Sequence, residues 1–346
     1  MTEFLRLKYR EIERAMSFSA TDIKEAKAWQ RRFYRKVVDI LGGFPPPCEL
    51  NAKIVSSEKD DGFTRQKVYF DSEPGMSVAA WVLVPDGIDR GDRRPGVLAL
   101  HGHVDGVDGG KDYLVGLDAG SQKIKKIIKA SNLDYAKQFA KRGYVVIAPD
   151  HRRWGERDCG ITESVKPRDP CNILYIESML FGLNPLMMNV WDTMRCYDYL
   201  TTRHDVDRER IGAMGLSYGG TVALYTAALD PRIRAAIVSG YLTSYESHAL
   251  ELHRVCGSQT ATGLLLYAEI SDVAALIAPR PALYEMGIKD PNFPIKVSRK
   301  AYSQIKKVYK VIGAPEALEV DEFDGGHQFS GRKAFDFFAK WLEHEV

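Results

Sequence analysis

Ile211-Gly-Ala-Met-Gly215-Leu216-Ser217-Tyr218-Gly219-Gly220-Thr221-Val-Ala-Leu-Tyr-Thr-Ala-Ala-Leu229 is the stretch on which the reading of this chain turns. It begins as a short apolar strand, passes through a turn with glycine two residues to either side of a serine, and continues as an apolar helix. A serine on so tight a strand-to-helix turn occupies a strained backbone position, and the small flanking residues let the two elements pass closely. The helix then directs its free N–H groups and positive dipole end at the hydroxyl. The five-letter pattern alone is weak; the strand before it and the helix after it make Ser217 the candidate nucleophile.

Outward from this turn the same alternation repeats. Short apolar runs lie at Val97–Leu100, Val145–Ala148, Ala235–Val238, Ala282–Met286 and Ala317–Val320. Helical periodicity covers Asn132–Arg142 (entered at Ser131, closed by Gly143), Pro185–Thr202, Val297–Val311 and Arg332–His344. Fully apolar strands alternating with helices predict a mostly parallel sheet covered on both faces, with right-handed crossovers. Ahead of it, from about Ala52, the period changes to two. Arg65–Phe70 and Val78–Pro85 read as antiparallel strands joined through Pro74-Gly75.

Residues 1–44 read as helical. From Thr21 the apolar positions Ile23, Ala26, Trp29, Phe33, Val37, Ile40 and Leu41 share one face, with Ser19 or Thr21 to cap the start and Gly42-Gly43 and Pro45–Pro47 to stop it. This helix is expected to dock on the following domain or on a second subunit, so a homo-oligomer through the N-terminal helices is a candidate assembly. The expected organisation is an N-terminal helical extension, 1–50, and one α/β domain, 51–346. Insertions at about 103–130, 155–184 and 243–270 interrupt the alternation, and such segments at strand ends commonly wall an active site. Met179-Leu-Phe181 and Met187-Met188 could line an acyl pocket or belong to the core.

A serine hydroxyl needs a base at neutral pH. Of eight histidines, His327 follows an apolar strand through Asp324-Gly325-Gly326, a turn that can aim an imidazole over the sheet edge. The base needs an orienting carboxylate. Asp290 lies just past the Ala282–Met286 strand and shares its rim with Ser217 and His327. Asp321 and Asp324 are rivals, but stand too close to His327 in sequence to reach its far nitrogen easily; Asp272 reads as the start of a short helix. Acyl transfer also requires donors for the developing oxyanion. The backbone N–H of Tyr218 is one candidate and that of His103, in Leu100-His101-Gly102-His103, the other, with His101 as framework. His101, His103 and Asp150 could instead hold zinc, since His-x-His pairs bind metals, but Ser217, His327 and Asp290 account for the region without one, and no cofactor is required. Asp150 is expected to bond loop N–H groups, and Trp191-Asp192 to anchor their helix against the loop around Arg153.

Taken together, His101-Gly-His103, Gly215–Gly219, Asp290 and His327 resemble the α/β-hydrolase superfamily over residues 52–346, in the order nucleophile, acid, histidine. Asp150–Arg157, Trp191–Arg195, Asp205–Ile211 and Ala278–Pro281 resemble its dienelactone-hydrolase and acetylxylan-esterase-like branch. The resemblance implies an α/β-hydrolase fold and serine-dependent hydrolysis of carboxylic esters. Two departures stand: true dienelactone hydrolases use cysteine where this chain has Ser217, and Arg153-Trp154-Gly155 replaces the Arg-Gly-Gln usual in cephalosporin-deacetylase-type enzymes. Xylan or cephalosporin deacetylation is therefore not supported by motif. The competing expectations are a prolyl-oligopeptidase-type serine peptidase, for which about 50 N-terminal residues cannot supply the usual propeller, and a non-catalytic binding protein on the same fold.

Composition sets the outer bounds. The 346 residues carry 48 Lys+Arg against 46 Asp+Glu, a formal charge of +2, which gives no general attraction to nucleic acid or an anionic membrane. The expected partner is a small ester. Apolar runs fall well short of the ~18 residues that span a bilayer. The charged N-terminus predicts no signal peptide, and five cysteines without a C-x-x-C spacing fit a reducing, cytoplasmic setting.

Overall fold

Period-two patterning in the first third of the chain produces three antiparallel strands in the computed structural model, which describes residues 1–103, 110–158 and 169–343. These are β1 (Lys53–Asp60), β2 (Phe63–Glu73) and β3 (Met76–Pro85). Glu73 pairs with Met76 across the Pro74-Gly75 turn, where Gly75 takes the positive φ (+81°) that the turn demands. β3 then pairs antiparallel with β5 (Val145–Pro149), beside β4 (Arg94–Leu100). From there the sheet is parallel through β6 (Val206–Leu216), β7 (Ala235–Ser239), β8 (Ala282–Gly287) and β9 (Leu318–Phe323). The order is β1-β2-β3-β5-β4-β6-β7-β8-β9. This is the mostly parallel sheet expected from the alternation, in the α/β-hydrolase arrangement that the resemblance implies.

The central strands read as unbroken apolar runs because both faces are covered. Along β4, Leu98 and Leu100 join the core on one face while Val97 and Ala99 join the other; Val145 and Ile147 oppose Val146 and Ala148 in β5 in the same way. The core on one face takes in side chains of α6 (Pro185–Thr202), α7 (Tyr218–Leu229), α8 (Ile270–Ala275) and α9 (Ile295–Ile312), with α2 (Ile23–Ile40) packed outside on α7 and α9. Ile128, Tyr135, Phe139, Phe337 and Phe338, from α3 (Gln122–Ser131), α4 (Tyr135–Ala140) and α10 (Ala334–Phe338), fill the other.

The N-terminal segment is helical as expected and holds two helices, α1 (Thr2–Glu11) and α2. The α2 cap is Asp22, whose side chain accepts from Glu25 N at 2.8 Å; Thr21 instead reaches the Glu25 carboxylate, and neither it nor Ser19 caps. Trp29, Phe33 and Val37 are buried, Trp29 Nε1 donates to Met16 O (2.7 Å), and Gln30 Nε2 donates to Ala278 O (2.6 Å). Most of the apolar face of α2 is thus spent on its own chain, with Ile23 left exposed. Two further expectations shift. The basic run Lys123–Lys129 is helical: α3 is amphipathic, capped by Ser121, and ends at Asn132 in the left-handed region (φ 53°). The following helix therefore starts after Asp134, not at Ser131. Within 155–184, a helix α5 (Pro170–Met179) is capped by Asp169, which accepts from Cys171 N at 2.8 Å.

Candidate active site

β6 ends at Leu216 and α7 begins at Tyr218, leaving Ser217 alone to make the turn, at φ 61° and ψ −121°. A non-glycine residue there is strained, and surrounding contacts hold it. Ser217 N donates to Ser239 O at the end of β7 (2.9 Å), and its carbonyl accepts from Thr221 N (3.0 Å). Both flanking glycines are forced by close approach. A side chain on Gly219 would collide with Leu100 O at the end of β4, and one on Gly215 with the Gly219 backbone. The first turn of α7 is thereby pressed against the loop that carries His101-Gly102-His103.

Asp290 follows β8 in a tight loop. Its Oδ1 accepts from Asn292 N (2.8 Å) and Phe293 N (3.1 Å), leaving Oδ2 to accept from His327 Nδ1 at 2.8 Å. The loops carrying the two residues are joined by Lys289 N donating to Gly325 O (2.9 Å) and Ile288 N donating to Phe323 O (3.0 Å). Phe293 stacks on the His327 ring at 5.5 Å. The rival carboxylates are engaged elsewhere, Asp321 with Ser330 Oγ (2.6 Å) and Asp324 with Lys289 (2.6 Å). Asp272 sits in the first turn of α8, where it accepts from Glu269 N.

Ser217 and His327 line one cavity of about 390 Å³, together with His103, Tyr113, Leu133 and Phe293. Among the described residues no hydrogen bond joins the Ser217 hydroxyl to the imidazole; such contacts are often long before substrate is bound. The geometry offers a histidine oriented by a buried carboxylate, a serine at the N-terminus of a helix, and a partly apolar chamber in front of both. The N–H of Tyr218, in the first turn of α7, has no partner within its own helix.

His101 and His103 part company. The His101 ring is buried; Nδ1 donates to Gly102 O (3.0 Å) and Nε2 accepts from His151 N (3.0 Å), while burial pushes its pKa down to about 3. With both nitrogens used by backbone, it is framework. Asp150 accepts from Lys111 N (2.9 Å), Lys111 Nζ (2.6 Å) and Glu156 N (3.1 Å). The structure therefore does not bring His101, His103 and Asp150 together as a zinc site. The His103 ring stacks on Tyr218 (4.8 Å, 15°), and its Nε2 meets Cys171 Sγ at 3.2 Å and Cys256 Sγ at 3.7 Å. Hydrogen bonding from Cys256 and the adjacent imidazole hold the Cys171 thiol well below its ordinary range; the same bond and burial push the Cys256 thiol up.

Several wall residues carried no sequence signal, Tyr113, Leu133 and His248 among them; His248 is stacked on Phe293 (4.8 Å), and burial lowers its pKa to about 4. Nor did Lys111, which is buried on Asp150 beside the cavity-lining Gly110. Phe293, three residues after Asp290, was within reach of the motif. Among the described residues neither methionine patch lines the cavity: Met187 is in the core, Met188 is half-buried, and Met179, Leu180 and Phe181 are exposed. Of the insertions, 110–131 and 248–259 reach the cavity; residues 104–109 and 159–168 lie outside the described residues. Asp192 anchors its helix as expected, accepting from Arg152 Nε (2.9 Å) and Arg157 (2.8 Å). Trp191 instead donates to Ser72 O at the end of β2 (2.8 Å).

Comparison with known proteins agrees with this frame. The family described as Abhydrolase family matches residues 5–336. A Bacillus subtilis protein provisionally named hydrolase YtaP is 30% identical over 315 residues, covering 89% of this chain and 98% of its own. Among solved structures, a Bacteroides fragilis protein provisionally named an acetyl xylan esterase superposes with a TM-score of 0.76 at 21% identity, over 92% of this chain and 81% of its own. A glucuronoyl esterase from Solibacter usitatus does so at 0.65 and 15%, over 96% and 99%. At those identities the likeness is one of fold.

Proposed function

From the premise that the chain belongs to the Abhydrolase family of α/β-hydrolases, we propose that it cleaves carboxylic esters, with short acyl or acetyl groups, through an acyl-enzyme on Ser217. The observation that carries the reading is the 2.8 Å bond from His327 Nδ1 to Asp290, placed in the same cavity as a serine held at positive φ. His327 takes the serine proton through Nε2 as Oγ attacks the acyl carbon, and returns it to the departing alcohol. Asp290 fixes the tautomer with Nδ1 protonated and stabilises the imidazolium; its own orientation is set by two backbone donors on Oδ1. The Tyr218 and His103 N–H groups receive the oxyanion, each such donor being worth roughly a hundred- to a thousandfold in rate. Water then enters, deprotonated by His327, and releases the acid. No step calls on a metal or an organic cofactor.

The modest cavity with Tyr113, Leu133 and Phe293 on its walls suits a short acyl chain, and the names of the structural relatives, acetyl xylan esterase and glucuronoyl esterase, support ester over amide cleavage. The test is p-nitrophenyl acetate turnover: Ser217→Ala is expected to lose about four orders of magnitude or more in kcat. A variant keeping most of its activity, or wild type preferring aminoacyl amides to short esters, would overturn the proposal. A cytoplasmic setting is part of the same reading, since Cys48, Cys171, Cys196 and Cys256 are free thiols; recovery of the native protein from the culture medium would contradict it.

A further inference from the structure

One cluster beside the active site is not used by the proposed chemistry. His103 Nε2, Cys171 Sγ and Cys256 Sγ all lie within 4.8 Å of one another, from three separate segments: the loop after β4, the first turn of α5, and the turn before Gly257. We propose that these three side chains bind a soft divalent cation of the zinc class.

The spacing argues for it. With Zn–S at about 2.3 Å and Zn–N at about 2.0 Å, a tetrahedral site separates sulfur from nitrogen by about 3.5 Å. The two sulfurs here stand 3.2 Å and 3.7 Å from the imidazole nitrogen, either side of that value, so a cation can enter with small side-chain movements. The donor set is right as well: thiolate and imidazole select zinc-class ions over magnesium or calcium. The charge closes, because two thiolates neutralise a divalent ion, which favours a site as enclosed as this one; Cys171 is 1% exposed and Cys256 6%.

The ligands are also held in place. Cys171 N donates to Asp169 (2.8 Å) and Gly257 N donates to Asn172 Oδ1 (2.8 Å), tying the Cys171 turn to the Cys256 turn. Gly257 has no room for a side chain because Tyr175 packs over it, and Tyr175 is hydrogen-bonded to Thr262 (2.9 Å). The His103 ring stacks on Tyr218 at 4.8 Å and meets the tilted Trp154 ring at 5.1 Å. A bound cation would clamp the segment that carries the His103 N–H onto two of the insertions, one ring away from the nucleophile's helix. The unloaded protein remains a folded serine hydrolase in this view, so failure of the metal proposal leaves the catalytic one standing.

The test uses the full chain, reduced and freed of metal by chelation. Cobalt(II) is expected to bind one equivalent with a thiolate-to-cobalt charge-transfer band, and zinc to displace it. Cys171→Ser and Cys256→Ser should each lose the band and weaken zinc at least tenfold. Should a serine variant fail to fold, the wild type answers by itself: zinc should shield Cys171 and Cys256, and not Cys48, from alkylation mapped by mass spectrometry. Absence of a stoichiometric band, its persistence in the doubly substituted chain, shielding of neither or of only one cysteine, or a Cys171–Cys256 pair that oxidises to a disulfide yet takes up no metal once reduced would each overturn the proposal.

Discussion

Asp290 Oδ2 accepts a 2.8 Å hydrogen bond from His327 Nδ1 while Oδ1 of the same carboxylate is held by the Asn292 and Phe293 amides. Both oxygens are occupied, so the carboxylate cannot rotate away, and the imidazole presents Nε2 to the chamber. Asp290→Asn keeps the shape but can offer its amide N–H to the ring and so favour the wrong tautomer. A loss of about 10⁴ in kcat is expected, with KM nearly constant. Asp324→Asn, on an exposed residue paired with Lys289, should change kcat less than twofold. Steady-state kinetics of both variants on one ester decide the matter; equal losses would show that the wrong carboxylate has been chosen.

Lys111 is a second measurable point. Its side chain is 1% exposed and its ammonium group lies 2.6 Å from Asp150, with Glu156 as a further partner. Lys111→Met leaves Asp150 buried without its counter-charge, for which a loss of about 3–5 kcal/mol is expected in urea unfolding. Adding Asp150→Asn should recover part of it, since the charge is then gone. A single variant as stable as wild type would mean that water reaches the carboxylate.

Glu285 should give stability a pH dependence of unusual sign. Burial at the end of β8 pushes its pKa up to about 7, although Gly331 N (3.0 Å) and Ser330 N (3.3 Å) donate to it. The native state keeps a proton that the unfolded chain releases in the ordinary carboxylate range. This contribution is therefore complete at low pH and is lost as pH rises towards about 7. Glu285→Gln removes the ionisation and leaves an acceptor for both amides. Relative to wild type it should gain stability at pH 8 over pH 5, by up to about 3 kcal/mol at roughly 1.4 kcal/mol per pKa unit. Unfolding curves at the two pH values check this; a difference that does not change with pH would contradict it.

Trp29 tests whether the N-terminal helix belongs to the hydrolase core. It is buried, donates to Met16 O at 2.7 Å, and packs edge-on against Phe18 (5.0 Å) and over Phe33 (5.2 Å). Trp29→Ala is expected to cost about 3–5 kcal/mol, the range for emptying a large core site. Thermal unfolding should remain a single transition at lower temperature. A separate early transition would instead mark residues 1–44 as an independent unit.

What the amino-acid order determined was everything written in local periods. The run Ile211–Leu229 announces a strand, a turn and a helix because apolar spacing and glycine placement are properties of neighbouring residues. The order Ser217, Asp290, His327 follows because each residue stands at the end of an apolar strand, and the ends of parallel strands share one rim. Helix boundaries were less legible where two signals compete. Ser131 looks like a cap, yet the amphipathic run Lys123–Lys129 claims it as the end of α3, and Asn132 turns the chain.

Only tertiary structure decided which side chains share a surface. Nothing local places Lys111 on Asp150, 39 residues on, or Phe293 and His248 behind His327. His103 could be read as a loop donor or as half of a His-x-His metal pair. Packing sent its ring to Cys171 and Cys256, 68 and 153 residues distant, and used both nitrogens of His101 for backbone. The physical reason is the same in each case. Short-range pattern reports what a segment buries, while the partner across a cavity is set by how insertions of irregular shape fold back over the sheet.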